Sequence, residues 1–160
     1  MSVAFVKEES AEAASETVLP DRPISPHRNL VTEAGFKALE AQLDEARSAY
    51  EAANALEDIN ERRRQSANPL RDLRYFSERV RTAEVMPVPE TNDVVAFGSK
   101  VTFRREDGRV QTYRIVGEDE ADPKQGTISY VSPVASRLMG KSVGDVAVVA
   151  DKEVEITAID

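Results

Sequence analysis

Between Phe36 and Ala53 the apolar residues Phe36, Leu39, Leu43, Ala46, Tyr50 and Ala53 recur at alternating intervals of three and four. That spacing sets them in one stripe along an α-helix, and a stripe this narrow has to close on another helix. Glu40, Asp44, Glu45, Arg47 and Glu51 occupy the positions between, where water is the expected neighbour. Thr32 precedes the run and supplies a hydroxyl for the first free N–H groups. A second seam, Leu73, Phe76, Val80 and Ala83, ends ahead of Pro87 and Pro89. Two such seams in one chain predict an antiparallel helical hairpin over residues 32–86.

Two signals compete for the hairpin turn. Asn68-Pro69 is a local one, because Asn caps helices and Pro suits a first turn. Equal arms between Thr32 and Ala83 instead place the turn at Glu57-Asp58, with each arm about 39 Å long at about 1.5 Å per residue. The expected tip therefore covers 56–68, with Asp58 near its start.

The flanks read differently. Residues 1–31 form an extension. Met1 to Val18 is polar, with at most a frayed helix, and Pro20, Pro23 and Pro26 then block helix and central strand alike. His27 lies in that stretch and is expected to be an exposed loop residue. Residues 87–93 are a linker. From 94 to 160 short alternating runs predict strands: Val101–Arg104, then Asp107-Gly108 at the centre of a turn, then Val110–Val116. Gly126–Val131, Val146–Val149 and Val154–Ile159 follow the same rule. Ser132-Pro133 opens a short helix that ends at Met139-Gly140. Gly98, Gly117, Gly126, Gly140 and Gly144 fit turns and caps, and their spacing matches no nucleotide motif. The fold class is α+β: a helical hairpin, then a small, mostly antiparallel sheet with one short helix.

Composition narrows the chemistry. The 160 residues include no cysteine and one histidine, which excludes disulfides, thiolate zinc sites and multi-histidine metal centres. The net charge of −8 argues against affinity for bare duplex DNA, where neutralised phosphates supply most of the binding. No apolar run reaches the roughly 18 residues of a membrane span, and no basic-then-apolar signal opens the chain. A cytoplasmic protein, monomeric and without membrane partners, is expected.

Several separated blocks carry a family likeness. Val95-Ala96-Phe97-Gly98-Ser99-Lys100-Val101, Tyr113-Arg114-Ile115-Val116-Gly117-Glu118-Asp119-Glu120-Ala121-Asp122, Ile128-Ser129, Ser132-Pro133-Val134-Ala135, Leu138-Met139-Gly140-Lys141 and Val143-Gly144-Asp145 stand in order. Together they resemble the C-terminal domain of the GreA/GreB family of bacterial transcription elongation factors. Leu30-Val31-Thr32-Glu33-Ala34-Gly35 and Ala83-Glu84-Val85-Met86 are similar to the start and end of that family's coiled coil.

The resemblance implies an FKBP-like C-terminal domain that docks on bacterial RNA polymerase at its secondary channel, through Glu118, Asp119, Glu120, Asp122, Ser132, Pro133 and Val134. It implies a hairpin that enters the channel and presents tip acids, here Asp58 and Glu61. These would share a polymerase Mg²⁺ and assist cleavage of backtracked RNA, while the factor binds no cofactor alone and is no enzyme itself. Contact with nascent RNA would be indirect. Oxygen-only carboxylates suit Mg²⁺, and residues three apart share a helix face.

Two departures stand out. Arg62-Arg63-Arg64-Gln65 follows the second acid where the family has a polar-acidic stretch ending in an aromatic residue. Guanidinium groups there compete for the carboxylates, or serve as contacts to RNA phosphate or the channel wall. Each arm is also about one heptad short, roughly 10 Å of reach. An alternative is a polymerase-binding regulator without cleavage activity, similar to the regulators of nucleoside diphosphate kinase. A further alternative is a peptidyl-prolyl isomerase, whose pocket would need Phe97, Phe103, Tyr113 and Tyr130.

Overall fold

The computed structural model describes residues 19–160, so the expectation for Met1–Val18 lies outside the described residues. The chain divides into two compact units. One holds residues up to Ser25 and Leu39–Arg81; the other holds Pro26–Ala38 and Thr82–Asp160.

The seams fold as their spacing requires. Helix α1 runs Glu33–Asn54 and helix α2 Ile59–Thr82. Leu39, Ala46 and Ala53 are buried along α1, while Leu43 and Tyr50 are half-buried between them. On α2, Leu73, Phe76 and Val80 are half-buried, and the residue most enclosed is Arg79 at 2% exposure. The sequence pattern had no signal for that arginine, since its apolar neighbours already completed a seam.

The hairpin turn is shorter than expected. It occupies 55–58, the equal-arm position, and residues 59–68 belong to α2 instead of the tip. Pro69 lies inside that helix. Its ring removes one ladder hydrogen bond, a cost of about 3 kcal/mol in a helix interior. Packing of Leu73 and Phe76 continues the helix past it.

Part of the extension packs on the same unit. The Arg22 guanidinium lies 3.8 Å from the centre of the Tyr75 ring and 5.3 Å from that of Phe76. Arg22 also reaches Asp72 at 3.3 Å, and Arg74 reaches Asp21 at 3.3 Å. Cation–aromatic stacking with reciprocal ion pairs holds a proline-rich segment that has no regular structure of its own.

In the other unit, β1 (Leu30–Val31) pairs in parallel with β2 (Glu84–Val85). The structure thus differs from the expected boundary at residue 31, because Leu30 and Val31 find backbone partners beyond the seam. Strands β3 (Lys100–Arg105), β4 (Val110–Val116), β5 (Thr127–Ser129), β6 (Val146–Val149) and β7 (Lys152–Ile159) form a sheet in the order β5-β4-β3-β7-β6. All neighbours are antiparallel except β4 and β5, which are parallel. The sheet is thus mostly antiparallel, as expected, and the one parallel pair arises because residues 117–126, including a 3₁₀ turn at Pro123–Gln125, carry the chain back before β5 begins.

Helix α3 (Pro133–Leu138) starts where expected, with Ser132 Oγ accepting from the Ala135 N–H at 3.2 Å. Ala135 and Leu138 join Val101, Phe103, Ile115 and Ile156 in a core where all six are fully buried. Each large side chain among them contributes about 1.5–3 kcal/mol. Strand β7 begins two residues earlier than its apolar pattern, because Ala150 and Asp151 both take positive φ, 52° and 63°, and make a tight turn without glycine.

Candidate functional site

At the hairpin tip, α1 frays through Ala55 and Leu56, whose N–H groups reach the carbonyls of Glu51 and Ala53 at 3.1 and 3.3 Å. Arg62 Nε donates to the Leu56 carbonyl at 3.0 Å, so this guanidinium closes the turn from inside. Asp58 caps α2: its Oδ1 accepts from the Glu61 N–H at 2.9 Å and its carbonyl from the Arg62 N–H at 2.9 Å. Glu61 is ion-paired with Arg64, and its Oε2 accepts from Gln65 Nε2 at 3.4 Å.

The structure therefore brings Asp58 and Glu61 onto one turn, as their spacing suggested, and gives both carboxylates local work. The cap was legible in the same spacing, since Asp-x-x-Glu ahead of a helix is a capping signature. Arg62, Arg63 and Arg64 do not act as one patch. Arg62 serves the backbone and Arg64 serves Glu61, while the Arg63 side chain makes no ion pair among the described residues.

The second candidate region lies where β4 and β5 end. Parallel pairing brings the residues that follow both strands to one end of the sheet, and the Tyr130 N–H donates to the Val116 carbonyl at 2.9 Å. Glu118 and Asp119 follow β4; Ser132, Pro133 and Val134 follow β5. Pro133 and Asp119 are exposed and Val134 is half-buried. Asp122 stands apart at the start of β5, where its Oδ1 caps the 3₁₀ turn by accepting from Lys124 at 3.2 Å. Ser132 is occupied as the cap of α3.

Glu120 turns inward. Its Oε2 accepts from the Thr32 N–H and the Gly117 N–H, each at 3.0 Å, and its Oε1 takes the Thr32 hydroxyl. Thr32 Oγ1 in turn accepts from the Gly35 N–H at 3.0 Å, capping α1. Glycine is required on both sides of this knot: a Cβ on Gly35 would sit 1.9 Å from Glu120 Cδ, and one on Gly117 would sit 2.3 Å from the Leu30 carbonyl oxygen. The family resemblance implies Glu120 as one of several docking acids; the inward turn of one member of an acidic run leaves no trace in composition.

Nearby, Arg28 binds Glu84 through two contacts, at 2.8 and 3.2 Å, and the Tyr130 hydroxyl donates to the Arg28 carbonyl at 2.5 Å. The hydrogen bonds from Arg28, with its charge, hold the Glu84 carboxyl below the usual range. His27 is exposed, as expected. Of the four aromatics proposed for an isomerase pocket, Phe103 is fully enclosed in the core, and Phe97 packs edge-on against Tyr130 with ring centres 5.7 Å apart.

Comparison with known proteins bears on these sites. A family profile described as "Transcription elongation factor, GreA/GreB, C-term" matches residues 90–160. The transcription elongation factor GreA of Desulfovibrio desulfuricans is 35% identical over 127 residues, covering 69% of this chain and 78% of that protein. The chain belongs to the GreA/GreB family. The GreA of Anaeromyxobacter sp. (strain K) is 46% identical over 86 residues, 50% of this chain and 52% of that one, so the chain spans about half the length of that relative. Among solved structures, the GreA factor homolog 1 (Gfh1) protein of Thermus thermophilus aligns with 84% of this chain and 99% of its own, at 21% identity and a TM-score of 0.40. For this family member, the matched C-terminal region contains all seven of the residues picked for docking, and the tip acids lie outside it. Among the described residues no helix is long and apolar enough to cross a membrane.

Proposed function

We propose that this GreA/GreB family chain is an accessory transcription elongation factor that docks on bacterial RNA polymerase and presents its hairpin tip at the secondary channel. The observation that carries the reading is the pairing of a family C-terminal domain with a hairpin of matched arms, 22 and 24 residues, turning at Asp58. At about 1.5 Å per residue, the shorter arm reaches about 33 Å. The docking surface is the sheet end that carries Asp119, Pro133 and Val134. Glu118 flanks it, and Glu120 shapes it from within. Acidic groups there would meet basic polymerase residues and set association rate and register.

At the tip, Asp58 keeps Oδ2 uncommitted while Oδ1 caps the helix. The Glu61–Arg64 pair is exposed, and such pairs are worth about 0–1 kcal/mol, so Glu61 can leave it for a stronger partner. Among the described residues no cluster of three metal-binding side chains occurs. The tip alone therefore fits a shared ion only: Asp58 and Glu61 would complete a Mg²⁺ shell that the polymerase supplies in the main. A bound Mg²⁺ in phosphodiester hydrolysis lowers the pKa of attacking water and neutralises developing charge. What this chain would contribute is placement of two oxygen donors on one capped turn. The catalyst remains the polymerase, and nascent RNA is met only through it.

The Arg62–Arg64 run favours a second reading, polymerase binding without cleavage, because Arg64 competes directly for Glu61. One experiment separates the two. Purified factor is added to stalled, backtracked elongation complexes, and short 3′ RNA fragments are counted against polymerase-bound factor. Release that disappears in Asp58→Asn/Glu61→Gln with binding retained supports the first reading. Asn keeps the cap, so unfolding is not the cause. Binding with no release from the wild type establishes the second, and absence of binding refutes both.

A further inference from the structure

The C-terminal unit contains a cleft of about 900 Å³, within the range of small-ligand sites. Its floor is the outer face of β4 and the Phe97-Gly98 turn; its walls are the connector at Val85–Val88 and the first turns of α1. Phe97 and Val116 are buried in the floor, whereas Val85 and Val88 stand 48% and 83% exposed at the lip. The lining is thus largely apolar and partly wet.

The charges in the cleft are unequal in their commitments. Glu120 is engaged by three donors. Glu33 and Lys37 pair with each other at 3.4 Å along α1. Arg114 remains. Its Nη1 donates to the Gly98 carbonyl at 2.9 Å, which fixes the guanidinium, and it has no carboxylate partner among the described residues. It also sits directly across from Lys100 in the β3–β4 register. Like charges placed opposite each other on a sheet repel. An anion held at Arg114 relieves that repulsion.

We propose that this cleft binds a small amphipathic carboxylate, its head on the Arg114 fork and its apolar body against Phe97, Val116 and Met86. A planar guanidinium already fixed by one backbone carbonyl is suited to bidentate recognition of a carboxylate. The apolar walls select a ligand with a hydrocarbon chain over a small hydrophilic acid. One oriented guanidinium beside an apolar floor is too little positive charge for a nucleic acid, whose binding rests on many neutralised phosphates. The site is independent of the polymerase reading.

The test uses the full chain and decanoate, kept below its micellar range, titrated calorimetrically and mapped by amide chemical shifts. Saturable binding at a single site is expected, with shifts centred on Phe97, Arg114 and Val116. Arg114→Gln, an exposed change that leaves the core intact, should weaken it about tenfold or more. Arg114→Lys should fall between, since it keeps charge and loses the fork. Decanol and acetate, each carrying half of the ligand, should bind much more weakly. Equal affinity in wild type and Arg114→Gln, shifts outside the cleft, or no saturation would overturn the proposal. Binding of an acidic, apolar peptide in place of decanoate would overturn it too and assign the cleft to a protein partner.

Discussion

The Glu120 knot makes a quantitative claim about two residues far apart in sequence. Gly35 has no side chain, and a methyl group there collides with the Glu120 carboxyl at 1.9 Å. The carboxyl can swing aside, but only by releasing Thr32 N–H, Thr32 hydroxyl and Gly117 N–H. Hydrogen bonds to a charged group are worth about 1.5–3 kcal/mol each, and three sharing one half-buried carboxylate are taken together as about 3 kcal/mol. Glu120→Ala should therefore cost about 3 kcal/mol. Gly35→Ala should lose the same contacts and recover up to about 1 kcal/mol of helix propensity, a net cost of about 2 kcal/mol. The double variant has no carboxyl to displace, so it should also cost about 2 kcal/mol instead of the additive 5 or so.

Urea unfolding followed by circular dichroism reads this directly. At a slope of about 2 kcal/mol per molar urea, Glu120→Ala moves the midpoint down by about 1.5 M and the double variant by about 1 M. Glu120→Gln should lie near the wild type, because the amide oxygen can keep both N–H donors while the Thr32 hydroxyl rotates to accept. A double variant as unstable as the sum of the singles, or a neutral Gly35→Ala, would refute the knot.

Other expectations follow from single contacts. Arg22→Ala removes the stack on Tyr75 and the Asp72 pair and should cost about 1 kcal/mol, seen as a lower thermal midpoint; Arg22→Lys should rescue it only in part. Pro69→Ala restores a helix-interior N–H and should stabilise the hairpin by about 1–3 kcal/mol, with slower amide exchange around residues 65–70. In the β3–β4 turn, the Arg109 N–H and then its guanidinium hold the Asp107 carboxyl below its usual range. The stabilisation this gives is present above the ordinary Asp value of about 4 and lost as pH falls through the lower folded value. Asp107→Asn should flatten that part of the acid unfolding profile, and an unchanged profile would show that the turn carries no such linkage.

The two helices, the sheet strands, the α3 caps and the family likeness were legible in sequence because each rests on local periodicity or on capping chemistry within a few residues. Phe36 to Ala53 can satisfy its pattern in one way only, and Ser132-Pro133 announces a helix start by itself. The tip was half legible. Equal arms located Asp58, but Asn68-Pro69 looked like a boundary because local propensity does not register the packing of Leu73 and Phe76 that carries a helix through a proline. Roles that depend on a distant partner were not legible. Glu120 reads as one more exposed acid until Thr32 and Gly117 arrive from elsewhere in the chain, and Arg114 reads as an ordinary strand residue until Lys100 faces it across the ladder. Periodicity belongs to the sequence itself. The state of a charged side chain, whether capping, paired or free, is decided by what the tertiary fold sets within about 3 Å of it, the range over which hydrogen bonds act.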